Sequence, residues 1–268
     1  MAKQLMTGNE AVARGAWEAG VLFASAYPGT PSTEILENVG TYKEITAEWA
    51  PNEKVAMEAA IGASIGGVRS MCAQKHVGLN VAADPIFTYA YMGVTGGMVF
   101  VTADDPSAHS SQNEQDNRNY APFIKIPMLE PSDSQEAKDM FRDAFDISER
   151  YDTPVMFRMT TRVCHSKSLV ELGERKTFDA IPYVKNRAKF DDVPAVAMRN
   201  RHRMPERDRK LLALSNECEY NHAEYSGSKK IGIVASGVSY QYAREVFGDS
   251  VSYLKLAKKE PKPANDDK

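Results

Sequence analysis

A mostly parallel α/β sheet, doubly wound with helices on both faces, is the fold class this 268-residue sequence predicts. Three observations predict it. Short apolar strand signals and helix signals alternate through the first 160 residues. One strand, GMVFVTA at 97–103, is apolar on both faces, as a strand between two helix layers must be. Turn residues such as Pro28-Gly29 close the strand signals and lead into helices.

Taken in order, GNEAVARGAWEAG (8–20) has the pattern of an amphipathic helix, and VLFASAY (21–27) is a short apolar strand ended by Pro28-Gly29. PSTEILENV (31–39) opens with Pro31 where a first helical turn tolerates it. KEITAEW (43–49) alternates as a strand. Asn52 caps a helix over 52–67, with Glu53 in its first turn where negative charge suits the free N–H groups. VRSMCAQ (68–74) is the next strand. VGLNVAADPIFTYAYMGV (77–94) is helical in pattern, with Pro85 as a break or kink. IKIPMLE (124–130), a helix at 134–149 and PVMFRM (154–159) complete the series. In such sheets ligands bind beyond the carboxyl ends of the strands.

This first unit spans 1–165. Residues 166–228 are dense in charge and poor in apolar periodicity, and include RNRHRMPERDRK (199–210); the expectation is a charged linker or surface excursion. Its acids are interleaved with its arginines and no stacking aromatics accompany them, which argues against nucleic acid. KIGIVASG, SYQYAREVFG and VSYLKLA then spell strand, helix, strand, so 229–257 is expected to be an incomplete second α/β domain, followed by a disordered polar tail at 258–268.

Hydrophobic residues make up 43% of the chain and charged ones 26%, enough for a sizeable core, and the net charge of −3 gives no field for nucleic acid. MAKQLMTGNE lacks the apolar core of a leader, and no apolar run of spanning length occurs, so a cytoplasmic protein is expected. Cys72, Cys164 and Cys218 are odd in number, far apart and without CxxC. Disulfide, zinc and iron–sulfur frameworks are therefore unsupported on this chain.

No phosphate loop, GxGxxG or HExxH is present. GASIG (62–66) matches the GxSxG of a serine hydrolase elbow, but Ser64 lies deep in a helical pattern, where the elbow needs a strand-to-helix turn. Ala56, Ala60, Ala63 and Gly67 share one helix face that lets a backbone or a flat ligand approach. Two post-strand loops are candidates for binding: AYPGTPSTE (26–34) and ADDPSAHSSQNEQDNR (103–118). The second gathers His109, serines, amides and Arg118. Asp104 and Asp105 do not repeat at ligand spacing, so no metal site is expected.

YPGTPSTEI, NEKVAMEAAIGAS, KHVGLNVAADP, ADDPSAHSSQNEQDNR, IPMLEPSD and TTRVCHS form an ordered series across residues 5 to about 257. The series resembles the alpha subunits of the indolepyruvate ferredoxin oxidoreductases, among the thiamine-dependent 2-oxoacid:ferredoxin oxidoreductases. The resemblance implies that residues 1–165 are the domain holding the aminopyrimidine half of thiamine diphosphate. Glu53 matches the family's catalytic acid, which hydrogen-bonds the pyrimidine N1′ and so promotes loss of the thiazolium C2 proton. Tyr27, Pro28, Gly29 and Thr30 match the turn beside the cofactor. Thr30, His109 and Arg118 match substrate-side positions, Arg118 as the guanidinium for a 2-oxoacid carboxylate. Lys75 and His76 are further pocket candidates.

The implied reaction is oxidative decarboxylation of an aryl 2-oxoacid to an acyl-coenzyme A, with ferredoxin as electron acceptor. The family's diphosphate domain carries GDG to hold the metal, whereas Gly248-Asp249 here is followed by Ser250. Magnesium and iron–sulfur clusters are thus expected on a partner chain or missing segment, and an oligomer is expected. Two alternatives stay open: a non-catalytic binding or assembly module of the same fold, and a serine hydrolase built on Ser64.

Overall fold

The computed structural model describes residues 2–226 and 230–260. The chain runs β1 (Lys3–Thr7), α1 (Gly8–Glu18), β2 (Phe23–Ala26), α2 (Thr33–Val39), β3 (Thr46–Trp49), α3 (Glu53–Ile65), β4 (Ser70–Lys75), α4 (His76–Val81), α5 (Ala83–Met92), β5 (Met98–Asp104), α6 (Tyr120–Ile124), β6 (Met128–Leu129), α7 (Ser134–Tyr151), β7 (Val155–Thr160), α8 (Thr161–His165) and β8 (Lys167–Glu171). There follow α9 (Arg187–Phe190), α10 (Pro194–Glu217), β9 (His222–Glu224), β10 (Gly232–Ala235), α11 (Val238–Phe247), β11 (Ser252–Lys255) and β12 (Lys258–Glu260).

The main sheet has the order β12-β6-β7-β5-β4-β2-β3. Its pairs are parallel except for β12, which joins β6 antiparallel at one edge. Every residue of β4, β5 and β7 is buried, because helices cover both faces. Alternate residues feed two cores. Met71, Val99, Val101, Val155 and Phe157 pack with α1 and α7. Cys72, Met98, Phe100 and Met156 pack with α3 and α5.

Local chemistry sets the helix starts. Thr7 and Glu10 form a capping box on α1. Asn52 accepts Val55 N–H at 3.0 Å, as the sequence predicts. Asp133 does the same for Glu136 N–H at 2.9 Å on α7. Gly15 lets α1 lie against α7, since a Cβ there would stand 2.4 Å from the Lys138 carbonyl oxygen.

Several elements differ from the sequence reading. The helix expected over 77–94 is two helices, parted at Ala82, and Pro85 lies in the first turn of α5 where its missing N–H costs nothing. Of 124–130 only Met128–Leu129 is strand, because Tyr120–Ile124 turns helical first. The segment 166–228 contains β8, which pairs antiparallel with β1, and the 24-residue α10. β10 and β11 are parallel, β9 joins β11 antiparallel, and α11 covers them. The tail expected to be disordered from 258 begins with β12; residues 261–268 lie outside the described residues. No helix among the described residues is long and apolar enough to cross a membrane.

Candidate active site

Parallel registration brings the carboxyl ends of neighbouring strands to one rim: Ala26 lies beside Ala73, Lys75 beside Ala103 and Asp104 beside Thr160. The segments after β2, β4, β5 and β7 therefore share one edge of the sheet, where the sequence places its candidates.

After β2, Tyr27, Pro28, Gly29 and Thr30 form a turn with Tyr27 and Thr30 exposed. The Gly29 carbonyl accepts both the N–H and the hydroxyl of Ser32 at 2.9 Å, and Gly29 N–H donates to Thr33 Oγ1 at 2.9 Å. These bonds tie the turn to the start of α2. A side chain at Gly29 would meet Lys75, whose Cβ stands 3.0 Å from where a Cβ would sit. Lys75 is buried, and its ammonium donates to the Ser110 carbonyl at 2.9 Å, which ties the end of β4 to the loop after β5.

Glu53 opens α3, half-buried, and no hydrogen bond to its carboxylate is made among the described residues. Its carboxylate rests against Gly78 of α4: a Cβ there would lie 2.5 Å from Oε1. The sheet-side neighbour is Cys72, whose thiol is pushed up first by burial and then by the Glu53 charge. Beside Cys72 lies Gln74, fully buried; its Oε1 accepts the thiol at 3.5 Å, and its amide nitrogen has no acceptor among the described residues. An acid with free oxygens, a side-chain-free wall at Gly78 and an unused buried amide donor are what a flat heteroaromatic ring with ring nitrogens and an exocyclic amine can use. The chemistry of these residues fits the pyrimidine group.

After β5, Asp105 organises the loop. It accepts Ser110 N–H at 2.8 Å and the Ser111 hydroxyl at 2.7 Å on one oxygen, and the Thr161 hydroxyl at 2.8 Å on the other. Asn117, fully buried, donates to the His76 carbonyl at 3.0 Å and to Thr102 Oγ1 at 2.6 Å. His76 is also buried, with Nε2 at 3.2 Å from the Asn113 carbonyl. Lys75 and His76 thus tie the loop after β5 to the end of β4, with His76 Nδ1 left without a partner among the described residues.

His109 and Arg118 both line a cleft of about 830 Å3. Its floor is Arg158, buried on β7, which donates Nε to Asp104 Oδ2 at 2.8 Å and Nη1 to Glu130. Burial pushes the Asp104 carboxyl up, against the pull of Arg158. Arg162 of α8 adds positive charge, His165 lines the same wall, and Ser239 and Tyr242 of α11 close the far side. Tyr27, Gly29, Thr30 and Glu53 do not line this cleft. The candidates therefore fall into two neighbouring groups on one rim, bridged by Lys75. Arg158 and Gln74 escaped the sequence reading. The signal for both was a polar side chain at an inward position of a buried strand, PVMFRM and SMCAQK.

Ser64 is overturned as a hydrolase nucleophile. It is fully buried in the last turn of α3, bonded to Tyr89 Oη at 2.6 Å and to the Gly96 carbonyl, with no strand-to-helix elbow and no access.

The class of the fold is shared with a solved 2-oxoglutarate:ferredoxin oxidoreductase from Magnetococcus marinus, determined with 2-oxoglutarate, coenzyme A and succinyl-CoA bound; the match has a TM-score of 0.75 at 20% identity over 97% of this chain and 55% of that one. Residues 14–230 match the family model described as pyruvate flavodoxin/ferredoxin oxidoreductase, thiamine diP-binding. The chain belongs to that family. It is 43% identical to the indolepyruvate oxidoreductase subunit IorA of Archaeoglobus fulgidus, over 97% of this chain and 44% of the relative. With IorA of Methanothermobacter marburgensis identity is 45%, over 97% of this chain and 43% of the relative. A 2-oxoglutarate synthase subunit KorA from Methanothermobacter thermautotrophicus is 31% identical over 63% of this chain. The chain thus spans less than half the length of the curated relatives it matches most fully.

Proposed function

We propose that this chain is the pyrimidine-side component of a thiamine diphosphate-dependent oxidoreductase that decarboxylates an aryl 2-oxoacid of the indolepyruvate kind. The acyl group passes to coenzyme A and the electrons to ferredoxin, with the diphosphate, magnesium and iron–sulfur functions on segments or chains beyond this one. The observation that carries the reading is Glu53: a carboxylate without a hydrogen-bond partner among the described residues, held at the start of α3 against Gly78 and near Cys72, which in turn bonds the Gln74 side chain. IorA similarity over 97% of the chain supports the substrate class.

Thiamine diphosphate, when bound, supplies the carbon nucleophile for a 2-oxo carbon. Each residue of this chain then has a task. Glu53 shares a proton with a ring nitrogen, and the absence of a competing donor among the described residues leaves its oxygens available for that one partner. Gly78 keeps the wall flat. Gln74 orients the ring edge. The Tyr27–Thr30 turn borders the site, and Arg118 takes the substrate carboxylate through a guanidinium fork. His109 lines the same cleft.

Titration of thiamine diphosphate with magnesium into the complex of this chain and a diphosphate-domain partner tests the reading. Saturable binding that weakens at least tenfold in Glu53→Gln is expected, about 1.4 kcal/mol of lost contact. Equal affinity for the two proteins contradicts it.

A further inference from the structure

Arg118 is not free in the cleft. Asp116, two residues earlier, accepts Arg118 N–H at 3.1 Å and so caps the single 3-10 turn Asn117–Asn119. The same carboxylate takes the guanidinium side-on: Nε donates to Oδ1 at 2.8 Å and to Oδ2 at 3.0 Å, and Nη2 donates to Oδ2 at 2.6 Å. A guanidinium has two edges for bidentate bonding, Nε with Nη2 and Nη1 with Nη2. Asp116 occupies the first. Nη1 makes no hydrogen bond among the described residues, so the second edge remains for a ligand on a residue that lines the cleft.

Asp116 is itself anchored. Its Oδ1 lies 3.9 Å from Arg158 Nη2, and Arg158 is clamped in the buried floor by Asp104 and Glu130. Guanidinium and carboxylate groups thus alternate from the cleft wall to the sheet: Arg118, Asp116, Arg158, then Asp104 and Glu130. The pairing holds Asp116 below the usual carboxylate range, chiefly through the hydrogen bonds from Arg118. A flexible arginine at a half-exposed site would otherwise spend rotamer freedom on every binding event.

We infer that Asp116 is a positioning residue, which fixes the guanidinium of Arg118 side-on so that its Nη1–Nη2 edge is presented to the carboxylate of a 2-oxoacid. The inference rests on the assignment of Arg118 to that carboxylate. It makes a prediction opposite in sign to a purely electrostatic role. A negative charge beside an anion site repels the anion, so if charge alone mattered, removing it would tighten binding. If orientation matters, removing the acceptor loosens binding, and an amide oxygen in its place restores it.

The test is calorimetric titration of phenylpyruvate into the full 268-residue chain and three variants, each checked by its thermal melt. Arg118→Ala is expected to bind at least twentyfold more weakly than the unsubstituted chain, Asp116→Ala about tenfold more weakly, and Asp116→Asn within about twofold of it, because Asn Oδ1 still accepts from Nε. Asp116→Ala binding as tightly as the unsubstituted chain, or more tightly, overturns the positioning role while leaving Arg118 as the carboxylate ligand. An Asn variant as weak as the Ala variant also overturns it. Arg118→Ala binding as well as the unsubstituted chain, or no saturable binding by any of them, overturns the assignment of Arg118 and this inference with it.

Discussion

Asp105 shows how one side chain shapes the candidate site. It follows the most buried strand, is itself 1% exposed, and anchors the loop that carries His109. Burial opposes its charge, but the N–H of Ser110 and the hydroxyls of Ser111 and Thr161 outweigh that and hold its carboxyl down at about 2. An unfolded aspartate titrates near ~3.9. The folded value is the lower one, so the stability Asp105 contributes is present above about pH 4 and is lost as pH falls from there through about 2. Urea unfolding at a series of pH values checks this: Asp105→Asn should flatten the acid limb between about pH 4 and pH 2. An acid limb of unchanged slope contradicts it. The sequence showed the density of polar groups after the best core strand, and with it His109 and Arg118. It did not show that Asp105 and Asp104 bind Thr161 and Arg158, because those partners stand 56 and 54 positions away.

Among elements, α10 is the one the sequence concealed. Periodicity reveals a helix when its buried stripe is apolar. The buried residues of α10 are Asn200, Met204, Leu211 and Ser215, half of them polar, and arginines add contacts to the domain. Arg207 donates to the carbonyls of Ala90 at 2.9 Å, Asp152 at 3.4 Å and Lys125 at 3.2 Å. These lie at the carboxyl ends of α5, α7 and α6, so one guanidinium answers the negative ends of three helix dipoles. Desolvation lowers its pKa, yet it stays charged, as arginine does in proteins. Arg207→Ala should destabilise the chain by about 2–3 kcal/mol, since charge-assisted bonds are lost and three helix-end carbonyls, that of buried Ala90 among them, lose a donor. Arg150→Ala, at an exposed position on the surface of α7, should cost less than about 0.5 kcal/mol. Denaturant titration of the two variants decides; similar losses contradict the capping role. The regular elements were legible by contrast, because the Asn52 cap and the mostly apolar β5 announce themselves within a few residues.

For the whole molecule, β12 extends the main sheet from the last unit, beside the bonds of Gln241 and Lys255 to Ser132. It pairs with β6, and Lys258 is buried with its ammonium donating to the Leu211 carbonyl at 3.1 Å and to Ser215 Oγ at 2.6 Å. A polar tail sequence gives no hint of this, because the receiving groups are on α10, more than forty residues earlier. Removing residues 258–268 should lower the melting temperature by about 5–10 °C, the shift that a loss of ~3 kcal/mol produces in a chain of this size; scanning calorimetry reads it, and an unchanged melt contradicts the link. The alternation of strand and helix, visible in sequence, fixed the rim on which Glu53, Thr30, His109 and Arg118 lie. Which of them share a cleft required the fold. The chemistry proposed for that rim belongs to the assembled oxidoreductase, and its central claim is that Glu53 promotes loss of the thiazolium proton. The most direct measurement is hydrogen–deuterium exchange at C2 of thiamine diphosphate, followed by NMR, in the assembled complex. Glu53→Gln should slow the exchange by at least a hundredfold with the fold and the assembly intact, within the range that acid–base groups contribute. Exchange at an unchanged rate would contradict the account.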